Sequence, residues 1–278
     1  MTTPIHLETH RFSPGFSAVG LRSHHLPTGH FLNIDHFHMS QPTFPPHPHA
    51  GFSAVTYMLE DSPGGFTNRD SRGDRTRIVP GALHWTRAGI GIIHEEIPEV
   101  PGVDCHGLQI FVKLPRELEE MPATAFHLEP HEVPEVVRAG ARVRVLAGEF
   151  AGVASPIPQP VPLTLLDVQL APAADLELAL PAGHEAFALV LAGAGRLGDV
   201  RVVRDDALPL PAGATIRLVT DAEPLQLVLG HSPPLAHEVH WAGPFCMSDP
   251  ARLGAARRRY QAGALGRLDP SPAFHSIQ

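Results

Sequence analysis

The segment FPPHPHAGFSAVTYMLED, residues 44–61, places two histidines one residue apart immediately before an alternating apolar run. Side chains in an extended strand alternate between its two faces, so His47 and His49 point to one face while Pro48 points to the other. Proline has no N–H for the hydrogen-bond ladder, which predicts that the pair lies where a strand begins or at a sheet edge. We expect two imidazoles to converge near the mouth of a β-barrel.

A second pair with the same spacing occurs in GIGIIHEEIPE, where His94 and Glu96 share one face of an extended chain and Glu95 points away. The gap of 45 residues from His49 to His94 is enough for two or three strands and an antiparallel return beside the first pair. Three imidazoles and one carboxylate would then surround one cation. In a chain with 19 histidines a single HxH also arises by chance, so the spacing alone leaves a metal site and an accidental pair both open.

Composition indicates a folded protein made of short elements. The chain has 278 residues, of which 43% are hydrophobic, enough for one large core or two smaller ones. Its 30 prolines and 25 glycines are spread along the chain without a repeat, which favours β-structure with many turns over long helices. Cys105 and Cys246 lie outside any CxxC spacing, so we expect buried thiols and no disulfide framework.

Charge and hydropathy narrow the classes of partner. The formal net charge is −8 and the largest basic cluster is the short run 257–259, which argues against direct nucleic-acid binding. No stretch approaches about 18 uninterrupted apolar residues, and the first residues lack a basic region followed by an apolar one. We therefore expect a cytoplasmic protein that does not contact a membrane, and a monomer.

Strand-like runs fall into two halves of the chain. Between them lies a stretch rich in Pro and Glu, residues 115–137, which loses the strand pattern and is interpreted as a connector. The runs are FSAVTYMLED, TRIVPGALHWTRAG and HGLQIFVKLP in the first half, and RVRVLAGEF, LTLLDVQLAP, EAFALVLAGAGRLG, LPLPAGATIRL and PLQLVLG in the second. This pattern predicts an all-β protein with two domains, residues 1–130 and 131–278.

One helix is predicted near the C-terminus, within ARLGAARRRYQAG. Ser248 or Asp249 can cap its first turn, Pro250 suits the first helical position, and Gly263 can end it. The second domain is therefore expected to finish with a helix.

The two halves resemble each other, which indicates an internal duplication. GFSAVTYMLED followed by VPGALHW is similar to EAFALVLAGAG followed by LPAGATI, at an offset of 132 residues. This alignment puts His47 opposite Ala179 and His49 opposite Pro181, so the second copy lacks the histidine pair. We expect the second module to contribute structure or to close the cavity, rather than to perform chemistry.

Further expectations concern residues near these pairs and the other histidines. His106 and Gln109 can hydrogen-bond a ligand beside the metal, while hydrogen bonding to the backbone is the competing interpretation. Phe52 and Trp85 can line an aromatic pocket above the metal or pack in the core. The histidines interpreted as surface or structural residues, or as present in the second half without a chemical role, are His24, His25, His36, His38, His127, His184, His231 and His237.

Four segments together resemble the pirin family of bicupins. They are HPHAGFSAVTYMLED, NRDSRGDRTRIVPGALHWTRAGIGIIHEE, HGLQIFVKLP and GPFCMSDPARLGAARRRYQAG, and they span nearly the whole chain. The resemblance implies two cupin barrels that face each other, with one metal in the N-terminal barrel and Fe(II) as the expected ion. It also implies the metal ligands, which are His47, His49, His94 and Glu96. Imidazole and carboxylate also suit Mn, Co, Ni, Cu or Zn, so the sequence leaves the metal open.

The chain departs from the family pattern around these ligands. Family members usually carry Arg directly after HPH and Glu three residues later, where this chain has Ala50 and Ser53. They also usually show WMTAGRGI, which here is WTRAGIGI, with Thr86, Arg87 and Ile90 at the changed positions. The rim that faces the substrate is therefore expected to differ.

Two classes of function follow from the resemblance. The first is a metal-dependent dioxygenase of the quercetinase type, in which Glu96 accepts the hydroxyl proton of a flavonol-like aromatic substrate and O₂ adds to the activated ring. The second is a metal- or redox-sensing co-regulator that binds a protein partner without turnover. We favour the enzyme, and flavonol turnover with O₂ consumption and release of carbon monoxide distinguishes the two.

Overall fold

The computed structural model describes residues 3–277 of the chain. It is 50% strand and 7% helix, which confirms the expectation of an all-β protein. In chain order the strands are β1 (Ile5–His6), β2 (Thr9–Ser13), β3 (Phe16–Arg22), β4 (Phe31–Met39), β5 (His47–His49), β6 (Phe52–Met58), β7 (Phe66–Asp70), β8 (Arg75–Ile78), β9 (Leu83–Arg87), β10 (Ile92–Pro98), β11 (Cys105–Lys113), β12 (Thr124–Leu128), β13 (Glu135–Arg138), β14 (Ala141–Ala147), β15 (Glu149–Phe150), β16 (Val153–Ala154), β17 (Thr164–Leu170), β18 (Asp175–Ala179), β19 (Glu185–Leu197), β20 (Val200–Val203), β21 (Asp206–Leu210), β22 (Thr215–Val219), β23 (Leu225–Ser232), β24 (His240–Ala242) and β25 (Phe245–Met247). The helix α1 spans Pro250–Gln261, and two 3₁₀ helices span Arg116–Leu118 and Pro272–Ile277.

Three sheets contain most of the strands. The largest has ten strands in the order β1-β21-β19-β23-β17-β14-β13, with β18, β20 and β22 attached beside this path. A seven-stranded sheet has the order β12-β9-β6-β11-β4-β3-β2, and a four-stranded sheet has the order β5-β10-β7-β8. The pairs β15-β16 and β24-β25 form two small ribbons.

The strand that follows the first histidine pair, β6, lies in the middle of the seven-stranded sheet. It pairs antiparallel with β9 on one side and β11 on the other, with Val55 opposite Trp85 and Ile110. All seven of its residues are buried, so both faces of the strand are covered. The alternation in the sequence therefore marks two buried faces rather than one buried and one solvated face.

The stretch interpreted as a connector contains two strands, β12 and β13. β12 pairs with β9 and β13 pairs with β14, and each lies at the end of its sheet's strand order. An edge strand bonds to one neighbour only and tolerates Pro and charged residues, which is why the pattern of a central strand is missing there. The interpretation of residues 115–137 as a connector was wrong for these two segments.

The C-terminal helix begins and ends where the sequence predicts. Asp249 has extended backbone, and its side chain accepts a hydrogen bond from the backbone N–H of Arg252 at 2.8 Å. Pro250 lies in the first helical turn, and Gly263 follows the last turn with a φ of 73°, a left-handed conformation that glycine adopts without strain.

No helix within residues 3–277 combines the length and the apolar character needed to span a bilayer. The expectations of a cytoplasmic location and of a monomer stay predictions.

The chain forms two compact units, and each is assembled from separate segments. The histidine unit consists of residues 10–18, 35–130 and 236–277. The companion unit consists of residues 3–9, 19–34 and 131–235. One boundary between the units falls after residue 130, and the division into domains 1–130 and 131–278 stays a prediction. The closing segment, residues 236–277, nevertheless belongs to the histidine unit rather than to the second half of the chain.

Each unit has its own apolar core. In the companion unit, aliphatic side chains such as Val145, Leu166 and Leu229 pack as one buried cluster. In the histidine unit, a smaller cluster contains Phe37 and Met58 together with buried side chains from β7, β8 and β11.

The cysteines are buried free thiols, as predicted, and burial raises the pKa of each to about 12, so both stay protonated.

Candidate metal centre

The two histidine pairs meet through one antiparallel strand pairing. The short strand β5 lies beside β10, with His94 opposite His47 and Ile92 opposite His49. Residues opposite each other in an antiparallel pair share a face, so the three imidazoles lie on one face of the sheet. Their ring centroids are 4.7–4.9 Å apart, and one nitrogen from each ring lies within 4.8 Å of the others. These three residues are named the first histidine group.

The ring nitrogens of the first histidine group are arranged to hold a cation. Nδ1 of His47 lies 2.9 Å from the Pro45 carbonyl and therefore carries the proton, which leaves the lone pair on Nε2. Nδ1 of His49 and both nitrogens of His94 are buried and have no hydrogen-bond partner. Buried polar atoms are rarely left unsatisfied, because desolvation without a bond is unfavourable. Coordination of a metal would satisfy such nitrogens, so the residues present fit a metal centre.

Burial also sets the protonation state of these imidazoles. It lowers the pKa of His47 below its usual 6.5, that of His49 to about 3, and that of His94 well below the usual value. The neighbouring imidazoles lower the pKa of His49 and His94 further, whereas the carbonyls of Pro45 and Pro244 act in the opposite direction on His47 and His49. Neutral imidazole is the form that coordinates a metal, so the shifts favour binding at neutral pH.

Glu96, expected as the fourth ligand, lies two residues after His94 on β10 and therefore on the same face of that strand. It is not among the side chains whose ligand atoms cluster within 4.8 Å. Its Oε1 instead accepts a hydrogen bond from the hydroxyl of Thr56 on β6. Burial raises the pKa of Glu96 to about 7, and the Thr56 hydrogen bond acts in the opposite direction. The carboxyl group therefore exchanges its proton near neutral pH, and its place as a ligand stays a prediction.

Thr56 links Glu96 to Gln109, whose Oε1 lies 3.0 Å from the same hydroxyl. A hydroxyl has one proton and donates to only one of these two oxygens at a time. If the side-chain amide of Gln109 is flipped, so that its NH₂ takes the place of Oε1, the NH₂ donates to the Thr56 oxygen while the Thr56 hydroxyl donates to Glu96. All three groups are then hydrogen-bonded. Gln109 is therefore linked to Glu96 through the Thr56 hydroxyl, and no sequence pattern had singled out Thr56.

Aromatic side chains pack against the first histidine group. The ring of Phe52 lies 5.1 Å from that of His49 and 4.6 Å from that of Phe111, which is itself 5.3 Å from His49. Trp241, in the closing segment, lies 5.7 Å from Phe52 and exposes 46% of its surface. The structure thus places Phe52 beside the site. Trp85 is fully buried within β9, as expected for a core residue.

The closing segment packs directly behind the first histidine pair. Ala50 is fully buried, forms a parallel bridge with Phe245, and accepts a hydrogen bond from the backbone N–H of Cys246 at 3.1 Å. Gly51 has a φ of 87°, and a Cβ at this position would lie 2.0 Å from the Cys246 carbonyl oxygen. The small residues at positions 50 and 51 therefore allow β25 to approach the ligand strand, at the point where the family usually has Arg.

Other histidines form groups of their own, although His84 on β9 lies near enough to His94 to lower the pKa of that imidazole. His106, expected beside the metal, forms a separate group with His36 and His38. Within residues 3–277 the groups of three or more metal-binding side chains are these two, and both lie in the histidine unit. In the companion unit, Nδ1 of His184 and Nδ1 of His231 lie 3.0 Å apart, which requires one of them to donate to the other.

Known proteins similar to this chain agree with its fold over most of its length. The family model described as Pirin matches residues 16–112, and the one described as Pirin C-terminal cupin domain matches residues 165–266. A pirin-like protein of Solanum lycopersicum is 33% identical over 241 residues, which cover 85% of this chain and 81% of that protein. A Pseudomonas aeruginosa protein provisionally named quercetin 2,3-dioxygenase is 31% identical over an alignment 283 residues long with its gaps, which covers 93% of this chain and 97% of that protein. The crystal structure of quercetin 2,3-dioxygenase from Acinetobacter baumannii aligns with a TM-score of 0.84 at 25% identity, and covers 96% of this chain and 99% of that one.

Proposed function

The chain belongs to the pirin family and contains two cupin domains, and from this premise we propose that it is a metal-dependent dioxygenase of the quercetinase type that oxidises a flavonol-like aromatic substrate with O₂. The relatives with this activity in their names align with nearly the whole chain. The observation that carries the proposal is the first histidine group, three converging imidazoles of which His49 and His94 have buried nitrogens without hydrogen-bond partners. Such nitrogens are unfavourable in a folded protein unless a ligand satisfies them.

Four side chains would hold the metal, namely His47, His49, His94 and Glu96. Imidazole and carboxylate suit several divalent transition metals, of which we propose Fe(II), with Mn, Co, Ni, Cu and Zn as alternatives. When bound, such a metal polarises the substrate oxygen that it contacts. Four protein ligands leave two positions of an octahedral shell for water or substrate.

Glu96 is the residue that we expect to accept the hydroxyl proton of the substrate. A general base works best when its pKa is near the operating pH, and burial raises the pKa of Glu96 to about 7 in the metal-free protein. The Thr56 hydroxyl holds Oε1 of the carboxylate, which leaves Oε2 either to hold the metal or to receive the proton. Because a ligand carboxylate must be ionised, Glu96 would leave the metal when it accepts the substrate proton.

The side chains next to the first histidine group support an aromatic substrate. Phe52 and Phe111 cover one side of His49 with apolar surface and exclude water from it. Trp241 exposes 46% of its surface and offers an aromatic face on which a planar ring can stack.

The test is turnover by defined metal forms of the full-length protein. Chelated protein is reloaded without oxygen with each of the six metals in turn, and quercetin is added before O₂ is admitted. We expect equal amounts of O₂ consumed and carbon monoxide released with at least one metal, and neither with the His94→Ala variant. His24→Ala, which changes an exposed histidine of the companion unit, is the control and should behave as wild type. Full metal occupancy without O₂ consumption on a flavonol panel would contradict the proposal and favour a co-regulator.

A further inference from the structure

A second set of histidines lies on the face of β4 opposite to the apolar core. His36 and His38 are two residues apart on this strand and therefore share a face. Phe37 and Met39 alternate with them and pack in the core of the histidine unit. His36 is only 5% exposed although its side chain points away from that core, so a polar ring is held in a covered position.

The neighbouring strand adds a third imidazole to this set. β11 lies beside β4, and its first residue, Cys105, packs in the same core, so His106 points to the opposite face with His36 and His38. One nitrogen from each of the three rings lies within 4.8 Å of the others. The ring centroids of His36 lie 5.6 Å from His38 and 6.0 Å from His106. These three residues are named the second histidine group.

Two carboxylates orient the outer members of this group. Nδ1 of His38 lies 2.7 Å from Oδ2 of Asp104, and Nε2 of His106 lies 3.2 Å from Oδ1 of Asp61. A ring nitrogen that donates to a carboxylate leaves the opposite nitrogen with its lone pair, and metal-binding histidines are usually oriented in this way. For His106 that opposite nitrogen, Nδ1, is buried and has no hydrogen-bond partner. The two carboxylates would also balance the charge of a divalent cation.

A simpler interpretation is a pair of stacked histidines that serve only the surface structure. The rings of His38 and His106 are stacked, with centroids 4.9 Å apart and planes inclined by 2°. This interpretation accounts for the two rings with carboxylate partners. It gives no reason for the third imidazole, His36, to be buried against them, or for the orphaned Nδ1 of His106.

We propose that His36, His38 and His106 form a second metal site, which takes a divalent transition ion that prefers imidazole nitrogen, with Zn²⁺ as the probe. Tetrahedral Zn²⁺ with Zn–N bonds of about 2.0–2.1 Å holds its nitrogens about 3.4 Å apart. Since the nitrogens lie within 4.8 Å of one another, the side chains must approach each other by at most roughly 1.4 Å, and rotation of the partly exposed His38 contributes to this approach. Three protein ligands leave a fourth position for water. This site is independent of the dioxygenase proposal.

Metal stoichiometry in the full-length protein tests the site. In a His47→Ala/His94→Ala background, which disables the first histidine group, chelated protein is incubated with Zn²⁺, desalted and analysed for bound metal. We expect about one Zn²⁺ per chain, and none after His38→Ala is added. His24→Ala, an exposed histidine beside His25, is the matched control and should keep the metal. Asp104→Asn should weaken Zn²⁺ binding roughly 10–100-fold, because it removes the group that orients His38.

A spectroscopic readout covers the case in which the double variant does not fold. Wild-type protein should then bind one equivalent of Co²⁺ more than the single variant His38→Ala. The intense visible bands of tetrahedral Co²⁺ should be present in wild type and absent in His38→Ala. Absence of any Zn²⁺ in the folded double variant, or retention of the metal by His38→Ala, would overturn the proposal. Equal loss in His24→Ala would overturn it too, since binding would then be adventitious.

Discussion

His47 and His94 are direct partners across the antiparallel pairing of β5 and β10, with ring centroids 4.7 Å apart. Because the register fixes which residues share a face, one pairing brings the HxH motif and the HxE motif together without any special loop. A slip of one residue would turn His94 to the opposite face and disperse the group.

Removal of one imidazole should abolish tight metal binding at the first histidine group. In His94→Ala the remaining two rings of this group cannot enclose the ion, so its affinity should fall by more than the roughly 10–100-fold that follows loss of an outer-shell partner. Isothermal titration of chelated protein with Fe(II) or Ni²⁺, in a His38→Ala background that disables the second histidine group, measures the loss. His24→Ala is the control, and an unchanged affinity in His94→Ala would contradict the assignment.

Metal uptake should release a proton from Glu96. Burial raises the pKa of Glu96 to about 7 in the metal-free protein, so at pH 6 the carboxyl group is mostly protonated, whereas the lowered pKa values of His49 and His94 leave these imidazoles neutral. A ligand carboxylate must be ionised, so about one proton should leave Glu96 per metal bound at pH 6. Proton release is measured in weakly buffered solution with a pH indicator, and Glu96→Gln should lower it by about one proton per metal. Equal release from wild type and Glu96→Gln would show that Glu96 does not coordinate.

The metal-free protein should lose stability as the pH falls below 6.5. A histidine whose pKa is lowered in the folded state, as for His49 at about 3, takes up a proton in the unfolded chain first, so acid favours unfolding. Glu96 acts in the opposite direction between pH 4.5 and about 7, because its pKa is raised and its protonated form favours the folded state. The three histidines with lowered pKa values outweigh the one carboxyl group with a raised pKa. The free energy of unfolding should change by about 1.4 kcal/mol per pH unit for each net proton taken up on unfolding.

Melting temperatures from pH 8 to 5, measured with and without chelator, check this dependence. Bound metal should raise the melting temperature at neutral pH, and the difference should vanish where acid displaces the metal. A chelator that leaves the melting temperature and metal content unchanged at pH 7.5 would count against the site.

Thr56→Val should shift the titration of Glu96 upward. The Thr56 hydrogen bond lowers the pKa of Glu96, so without the hydroxyl the carboxyl group should hold its proton to higher pH and release more protons per metal at pH 8. Metal affinity should fall roughly 10–100-fold, as for other residues that orient a ligand. Thr76→Val, which removes a hydroxyl bonded to Asp74, is the matched control. No difference between the two variants would mean that Thr56 does not tune Glu96.

A buried ion pair should dominate the stability of the histidine unit. Lys113 and Glu119 have fully buried side chains and bond directly to each other. In Lys113→Met the carboxylate of Glu119 keeps only its bonds to Ser248 and Arg252, so unfolding free energy should fall by about 3–5 kcal/mol. Urea denaturation measures the change. Arg217→Met, which breaks an exposed pair with Asp175, should alter stability by no more than about 1 kcal/mol, and a similar effect of both variants would contradict the prediction.

The residues of the first histidine group could be predicted because a strand has a period of two. HxH and HxE spacings need only an extended backbone to align their side chains, and proline between His47 and His49 marked the strand entry. The same spacing is present in His36 and His38, which were interpreted as structural residues. Their partner His106 is 68 residues further along the chain than His38, and only the pairing of β4 with β11 brings them together.

Residues supplied by distant packing could not be predicted. Thr56 and Phe111 lie in strands whose apolar pattern indicates only burial, and their contacts with Glu96 and His49 depend on the sheet register. Trp241 and the rest of the closing segment were assigned to the second domain by their position in the chain. Their packing in the histidine unit depends on small residues at positions 50 and 51, whose significance emerges only when the neighbouring strand is known.

The discontinuous make-up of the histidine unit sets an order for biosynthesis. The buried carboxylate of Glu119 bonds to Ser248 and Arg252, which are synthesised 129 and 133 residues after it. At about 5–20 residues per second a ribosome needs on the order of 10 s to add them. Every segment of the companion unit, which ends at residue 235, leaves the ribosome before the closing segment does. The companion unit, which has no three-histidine group among the described residues, can therefore fold during translation, whereas the unit that contains both groups is completed only after the closing segment has been added.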